Sequence, residues 1–187
     1  MKTLRELIDI GDYKTDKDTT HAYIFPYDKA FEKYRDKRVS LLEIGNNGGE
    51  SIKLWNDYFN ESQIFGIEIN DLKELDEINA QHENINLYTK TDAYCDETVD
   101  IFRKDDHKFD IIIDDGSHRP EHQAFAVIKW LPFLKEGGVF IIEDVQSFEI
   151  VQYLMSLIPE ELLDRSMVVD RRHVKGRYDD IMIIVEG

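Results

Sequence analysis

The sequence has one cysteine and no long apolar run, and each shortage excludes a class of protein. A single thiol, that of Cys95, cannot form an intramolecular disulfide or a cysteine-based zinc site. Residues 1–9 are amphipathic and contain no continuous apolar segment, so they predict neither a signal peptide nor a membrane span. We therefore expect a soluble, cytoplasmic protein.

Basic residues are also scarce, with 23 Lys and Arg against 39 Asp and Glu and a formal net charge of -16. Such a charge argues against sequence-independent binding to nucleic acid or to an anionic membrane surface. The length of 187 residues and the hydrophobic fraction of 42% suit one globular domain with a substantial core. We expect a single domain over residues 1–187, with a helical lid segment over 1–36 and an α/β core over 37–187.

The amino-terminal segment combines helical spacing with a cluster of aromatic rings. Apolar spacing predicts a helix over residues 3–10, followed by a polar loop over 12–20 and a second helix over 26–36. We expect Phe25 and Phe31 to pack this second helix against a sheet. His21 and Tyr23 either join that packing or close over a ligand.

A glycine-rich turn follows the first predicted strand, which spans residues 39–44. Gly45, Gly48 and Gly49 lead into a helix that opens near Ser51, and glycines in this position let the backbone approach a ligand closely. The spacing is not G-x-G-x-x-G, so the pyrophosphate fingerprint of dinucleotide enzymes is absent. Glu43 is the one acidic residue in an otherwise apolar strand.

The next two predicted strands also end beside acidic residues. The strand over 64–69 carries Glu68, roughly 20 residues beyond the glycine turn, where a carboxylate can accept hydrogen bonds from both hydroxyls of a ribose. The strand over 85–88 precedes Asp92. This residue either contacts an adenine amino group or caps a helix over 94–103.

The densest chemistry lies between residues 109 and 144. Two short apolar strands in this stretch end in Asp114-Asp115 and in Glu143-Asp144, and a helical segment connects them. If that helix is a right-handed crossover and the strands are neighbours, roughly 4.8 Å apart, four carboxylates crowd one edge of the sheet. Nothing in the local sequence neutralises them.

Crowded carboxylates raise one another's pKa or recruit a cation, so we expect a divalent metal. Oxygen ligands without cysteine favour Mg²⁺, with Mn²⁺ or Ca²⁺ as alternatives. His118 follows three residues after Asp115, and its imidazole suits a general base near neutral pH. The other interpretation makes Asp114 and Asp115 helix caps and His118 a solvated loop residue, but the matching Glu143-Asp144 pair favours a site.

The carboxyl-terminal part predicts two last strands, over 167–169 and 181–185. Between them lies Arg171 to Arg177, the only basic cluster in this acidic chain. It forms either a solvated hairpin or a receptor for an acidic group of a substrate.

Alternating βα units with a closing pair of strands are the plan of a doubly wound α/β domain. The turn at residues 41–51, the acidic residue ending strand two and Asp92 after strand three resemble a class I S-adenosylmethionine-dependent methyltransferase. The resemblance implies a Rossmann-like α/β fold with a seven-stranded sheet, an antiparallel last strand, and strands four and five as neighbours. It implies S-adenosylmethionine contacts from Glu43, Gly45, Gly48, Ser51, Glu68, Asp92 and Asp114.

Within that superfamily the motif at residues 114–118, paired with Glu143-Asp144, resembles the macrolide-sugar O-methyltransferases of the mycinamicin and tylosin type. Residues 16–23 are also similar to the segment before the first strand of those enzymes. The resemblance implies Mg²⁺-dependent methylation of a sugar hydroxyl. Asp115, Glu143 and Asp144 would be the metal ligands and His118 the general base.

The macrolide enzymes have an additional amino-terminal domain that this sequence does not show. A sugar on a glycan, a nucleotide-sugar or a glycosylated small molecule is therefore as good an acceptor candidate as a macrolide, and a homo-oligomer is compatible with the pattern. Two other readings are a hydroxylase of the cephalosporin type and a non-catalytic S-adenosylmethionine-binding protein. The first lacks a 2-His-1-carboxylate set, and the second does not explain an intact His118 and Glu143-Asp144.

Overall fold

The structure, a computed structural model, describes residues 2–11 and 13–187. The strands are β1 (Arg38–Ile44), β2 (Glu61–Ile67), β3 (Ile85–Tyr88), β4 (Phe109–Asp114), β5 (Leu134–Ile142), β6 (Ser166–Asp170) and β7 (Ile181–Glu186). The helices are α1 (Leu4–Ile10), α2 (Asp16–Thr19), α3 (Ile24–Phe31), α4 (Glu50–Tyr58), α5 (Lys73–Gln81), α6 (Asp96–Lys104), α7 (Pro120–Lys129), α8 (Phe148–Met155), α9 (Glu160–Leu163) and α10 (Arg172–Lys175). Within the described residues, none of these helices combines the length and apolar character that crossing a membrane requires.

The seven strands form one sheet in the order β3-β2-β1-β4-β5-β7-β6, in which only β7 runs antiparallel to the others. The predicted doubly wound sheet with an antiparallel last strand is confirmed, and so is the pairing of strands four and five. Ile44 of β1 lies opposite Asp114 of β4, which lies opposite Ile142 of β5. The carboxyl ends of these three strands are therefore level, next to the point where the strand order reverses.

Both faces of the sheet are covered, which explains the continuous apolar runs in its central strands. Leu41 and Ile111 point to a core layer that includes residues of α1, α3, α4 and α5. Leu42 and Ile112, the next residues along the same strands, point to a second layer built with α6, α7 and α8. The alternation of side chains along a strand divides the core into these two layers.

The amino-terminal segment is more ordered and more deeply packed than its polar sequence predicts. The prediction of a loop over 12–20 is wrong at α2, and Asp12 lies outside the described residues. The hydroxyl of Thr15 accepts a hydrogen bond from the backbone N–H of Lys17 and caps this helix. The side chain of Lys17 then turns into the protein interior, where it is only 1% exposed.

The second predicted helix begins earlier than expected, at Ile24, and ends at Phe31 before a short 3₁₀ turn. Phe31 is fully buried against Trp55, as predicted, but Phe25 is 70% exposed, so its predicted packing is wrong. Six residues along a helix correspond to about 600° of rotation, which is one full turn plus about 240°, so the two rings lie on different faces of the helix.

The basic cluster between β6 and β7 forms α10 and packs on the amino-terminal segment. The Nζ atom of Lys175 donates to the backbone carbonyls of Asp18 and Thr19, and Nε of Arg171 donates to the carbonyl of Ala22 at 3.2 Å. The basic cluster therefore holds the amino-terminal segment in place at the carboxyl edge of the sheet. Neither sequence interpretation of this cluster included such a role.

The two rings of α3 provide a matched test of this packing. We expect Phe31→Ala to lower the free energy of unfolding by about 3–5 kcal/mol, because it leaves a cavity in the core. Phe25→Ala should change it by less than about 0.5 kcal/mol, because that ring faces solvent. Urea denaturation of both variants measures the difference, and similar losses would contradict the described orientation of α3.

Candidate active site

A cavity of about 650 Å³ runs along the carboxyl edge of the sheet, across the ends of β3, β2, β1 and β4. The predicted site residues that line it are Gly45, Gly48, Ser51, Glu68, Asp92, Asp115 and His118. One cavity thus joins most of the predicted cofactor residues to the predicted base. A position beside the reversal of strand order is where open α/β sheets bind their ligands.

The two predicted turn glycines lining the cavity have different reasons to lack a side chain. Gly45 has φ +82°, and a Cβ there would meet the carbonyl oxygen of Asp115 at 2.1 Å. It allows the backbones after β1 and β4 to approach closely. Apart from Gly48 and its two chain neighbours, no described atom lies within 4 Å of the place where a Cβ of Gly48 would be. The wall at Gly48 therefore leaves open space that a ligand can fill.

Glu68 lies at the cavity wall and shapes the turn. One carboxylate oxygen accepts from the backbone N–H groups of Asn46 and Asn47, at 3.0 and 2.9 Å, and the other accepts from the backbone and side chain of Asn70. A carboxylate has more lone-pair sites than these bonds use, so Glu68 still offers acceptors to the cavity. The sequence predicted Glu68 near the end of the second strand, and in the structure it directly follows β2; its support of the turn after β1 was not predicted.

Asp92 makes a local turn and does not cap the helix that follows. Its carboxylate accepts from the backbone N–H of Tyr94 at 2.8 Å, whereas α6 begins at Asp96 with Cys95 in the N-cap position. Of the two sequence interpretations, helix capping is wrong, and contact with adenine stays a prediction. The ring of Tyr94 stacks on His122 of α7 at 4.3 Å, and both line the cavity.

Sequence reasoning missed this pair of rings, because residues so far apart in the chain carry no local signal that they meet. The hydroxyl of Tyr94 also donates to Asp114 at 2.6 Å. Burial raises the pKa of Asp114 to about 7, and its Oδ2 atom has no hydrogen-bond partner among the described residues. Asp114 lies behind the cavity wall and not in it.

Glu43 also lies behind the wall, fully buried. Its carboxylate accepts from the hydroxyl of Ser51 at 2.7 Å and from the indole N–H of Trp55 at 3.2 Å. Ser51 reaches the cavity, so Glu43 can act on a ligand only through its neighbours. The predicted cofactor contacts of Glu43 and Asp114 stay predictions.

The predicted crowding of carboxylates is present, but a cation from the distant amino-terminal segment lies among them. Nζ of Lys17 lies 2.5 Å from Oδ2 of Asp115, 2.6 Å from Oε1 of Glu143 and 3.5 Å from Oε1 of Glu43. Burial alone would lower the pKa of Lys17, but these carboxylates outweigh it and raise the pKa. The ammonium group therefore stays charged and joins the ends of β1, β4 and β5.

Two tyrosines from the amino-terminal segment complete the surroundings of the Glu143-Asp144 pair. Tyr27 donates to Glu143, and Tyr23 donates to Oδ1 of Asp144 at 2.7 Å. Burial raises the pKa of both carboxyl groups, most strongly that of Glu143. Hydroxyl donors in this position satisfy carboxylate oxygens that would otherwise be buried without partners.

The imidazole of His118 lies between the carboxylates of Asp115 and Asp144. Its Nε2 atom is 3.2 Å from Oδ1 of Asp115, and its Nδ1 atom is 3.5 Å from Oδ2 of Asp144. Burial alone would lower the pKa of His118, but its carboxylate partners raise it to about 9. The imidazole therefore lies between two predicted metal ligands, whose negative charges favour its protonated form.

The donor set suits a hard divalent cation. Ligand atoms of Asp115, His118 and Asp144 lie within 4.8 Å of one another, and carboxylate oxygens are the ligands that Mg²⁺ prefers. The side chain of Glu143, the third predicted ligand, is directed to Lys17 and Tyr27 and is not part of this group. Its role as a ligand stays a prediction.

A second buried group supports Asp144 from the other side, and sequence reasoning did not identify it. Nδ1 of His21 lies 2.6 Å from Asp180 and 3.2 Å from Asp144, and its ring stacks on Tyr23. His21 and Tyr23 both pack against carboxylates of the site, and their closing over a ligand stays a prediction. An acidic pair directly before the last strand was the available signal.

Lys17 tests whether the carboxylates require their internal cation. We expect Lys17→Met to lower the free energy of unfolding by about 3–5 kcal/mol at pH 7, because it leaves buried carboxylates unpaired. The loss should shrink at pH 5, where protonation removes the repulsion. Urea denaturation at both values measures it, with Lys53→Met, which removes a half-buried pair near the surface, as the control. A loss as small as that of the control would contradict this view.

Asp114 gives a pH-dependent prediction. In the folded chain the carboxyl group of Asp114 stays protonated up to pH about 7, whereas in the unfolded chain it loses its proton near pH 3.8. Because the folded state binds more protons between these values, the free energy of unfolding falls as pH rises towards 7. Asparagine cannot ionise, so Asp114→Asn should exceed the wild type in stability at pH 8 by about 1 kcal/mol or more and much less at pH 4. Thermal unfolding measures this, and an equal effect from the exposed Asp164→Asn would contradict it.

The sequence and the fold are similar to those of known methyltransferases. Residues 42–145 match the family described as a methyltransferase domain. The chain is 32% identical over 132 residues to the mycinamicin VI 2''-O-methyltransferase of Micromonospora griseorubida, a match covering 67% of this chain and 32% of that protein. It is 29% identical over 144 residues to the 8-demethyl-8-alpha-L-rhamnosyl tetracenomycin-C 2'-O-methyltransferase of Streptomyces olivaceus, covering 71% of this chain and 35% of that protein.

Among solved structures, the chain is similar to the MycE methyltransferase of the mycinamycin biosynthetic pathway in complex with Mg, SAH and mycinamycin VI. The TM-score is 0.75 at 25% identity, with 100% of this chain and 55% of that chain covered. The chain thus spans about a third of the length of its curated relatives and about half of this solved one. Since the family match includes more than half of the chain and both strand ends that carry the site, the chain belongs to the methyltransferase domain family.

Proposed function

We propose that this chain is an S-adenosylmethionine-dependent and divalent-metal-dependent O-methyltransferase that acts on a sugar hydroxyl. One observation carries the proposal. The cavity beside the glycine turn and Glu68 is continuous with Asp115 and His118. A cofactor at the turn would therefore present its reactive end to the carboxylates and the base.

The cavity offers suitable partners to each part of S-adenosylmethionine. Asp92 would contact the adenine edge, Glu68 the ribose, and the turn with Gly48 and Ser51 the amino acid end. Glu43 would support this last part from behind, through its bond to Ser51. The open space at Gly48 is consistent with close approach of a ligand to the backbone.

Asp115 and Asp144 would hold the metal, for which Mg²⁺ is the first choice and Mn²⁺ or Ca²⁺ the alternatives. Glu143 would join them as in the family pattern. The metal supplies a lower pKa and a fixed direction to a bound hydroxyl, and S-adenosylmethionine supplies the methyl group as a sulfonium. A dication beside Asp115 and Asp144 would also offset the charges that raise the pKa of His118.

His118 would act as the general base. Its Nε2 atom would take the hydroxyl proton as the new O–CH₃ bond forms and the S–CH₃ bond breaks, which leaves S-adenosylhomocysteine. Asp144 would orient the imidazole through Nδ1, which leaves Nε2 as the acceptor, and Tyr23 would keep Asp144 in place. Positioning would account for most of the acceleration.

The acceptor class rests on the relatives, one of which is named for 2''-O-methylation of mycinamicin VI and another for 2'-O-methylation of a rhamnosyl tetracenomycin. We infer a sugar on a glycosylated small molecule. No observation favours the hydroxylase alternative. Non-haem iron oxygenases use two histidines and one carboxylate, whereas each metal-type group in the described part of the chain has one histidine and two acids.

The experiment that tests this proposal starts with binding and continues to turnover. Calorimetry should show binding of S-adenosylmethionine and S-adenosylhomocysteine, and a panel of glycosylated acceptors with Mg²⁺ should yield a methylated product that EDTA suppresses. Absence of cofactor binding by folded protein, or full activity in EDTA, would contradict it.

A base variant tests the mechanism separately. His118→Ala should lower kcat by about 10²-fold or more, because the proton acceptor is lost. Its affinity for S-adenosylhomocysteine should stay near that of the wild type. The exposed His173→Ala serves as the control and should keep both values. Loss of cofactor affinity in His118→Ala, with kcat retained, would show that the residue has another role.

A further inference from the structure

The amino-terminal segment places one lysine at the cavity, and we propose that Lys14 binds the carboxylate of the methionine part of S-adenosylmethionine. The inference rests on the proposed function and adds a binding residue to it. Of the described residues that line the cavity, Lys14 is the only lysine or arginine. In the sequence Lys14 lies before Glu43, the first of the predicted cofactor residues.

The position of Lys14 corresponds to the amino acid end of the cofactor. Its backbone N–H donates to Oε2 of Glu50 at 3.2 Å, and Glu50 is the first residue of α4, directly after the glycine turn. Asp92, the predicted adenine contact, lies after β3. A cofactor that extends across the strand ends from β3 towards β4 would therefore bring its amino acid end to the turn and to Lys14.

The charges of the cavity explain why one lysine is needed there. Its acidic lining residues are Asp16, Glu50, Glu68, Asp92 and Asp115. Such a lining favours a ligand that carries a sulfonium and an ammonium group, but it repels that ligand's single carboxylate. A lysine ammonium supplies the charge-assisted hydrogen bond that the carboxylate requires.

Lys14 is also available for a ligand. Its side chain is exposed and makes no ion pair with any acid in residues 2–11 or 13–187. The two other lysines nearby are engaged, Lys17 with Asp115 and Glu143, and Lys53 with Glu50 at 2.8 Å. Binding a carboxylate at Lys14 would therefore break no existing ion pair in the described part of the chain.

The backbone at Lys14 is held by its neighbours. Thr15 is 3% exposed and caps α2, and Lys17 is anchored among the carboxylates. Although the side chain of Lys14 is flexible, its starting point at the cavity is fixed by these contacts. The ordering cost of binding is thus limited to one side chain.

Two ligands separate the role of Lys14 from the rest of the cavity. S-adenosylhomocysteine contains the amino acid part, whereas 5′-methylthioadenosine has the same adenosine and thioether without it. Calorimetry should show that Lys14→Met raises the Kd of S-adenosylhomocysteine at least about tenfold and leaves the Kd of 5′-methylthioadenosine unchanged. Lys14→Arg, which keeps the charge, should restore most of the affinity.

Lys53→Met is the matched control, because that lysine also contacts Glu50 but does not line the cavity. It should leave both dissociation constants unchanged. An unchanged Kd of S-adenosylhomocysteine in Lys14→Met, or an equal loss for both ligands, would overturn the inference while cofactor binding by the wild type still supports the proposed function. Failure of the wild type to bind either ligand would remove the proposed function and the inference together.

Discussion

The ammonium group of Lys17 joins three carboxylates at the ends of three strands, and the architecture of the site follows from that junction. Asp115 and Glu143 lie within 2.6 Å of Nζ, and Glu43 lies at 3.5 Å. Buried carboxylates this close repel one another strongly unless a cation lies among them. The sheet edge and the amino-terminal segment therefore stabilise each other, because each supplies the charge that the other needs.

This junction divides the acidic cluster into two parts. Glu143 accepts from Lys17 and Tyr27, and Glu43 accepts from Ser51. Asp115 contacts both Lys17 and the ring of His118, and Asp144 lies on the far side of that ring. His118 and Asp144 both have positive φ, near +55°, which costs roughly 1 kcal/mol or more for residues with a Cβ. Such strain is typical of functional sites, in which geometry takes precedence over local stability.

Much of the fold was accessible from the sequence because it depends on local patterns. Apolar runs that break into acidic residues located the strands, and Gly45 marked a turn where only glycine allows the backbones to approach. Helix phase was harder to predict. The error at Phe25 and the missed helix α2 both occurred in the amino-terminal segment. Helix α2 buries Lys17 and no apolar residue, so apolar periodicity gives no signal for it.

For the site, the sequence by itself determined which acidic residues and which histidine meet, because parallel strands in a doubly wound sheet bring their carboxyl ends to one edge. Only the tertiary structure decided what neutralises them and what faces the cavity. Lys17 stands 98 positions before Asp115, and His21 stands 159 positions before Asp180. No local pattern encodes such pairings, since they arise when packing brings distant segments together and the desolvated charges must then find partners.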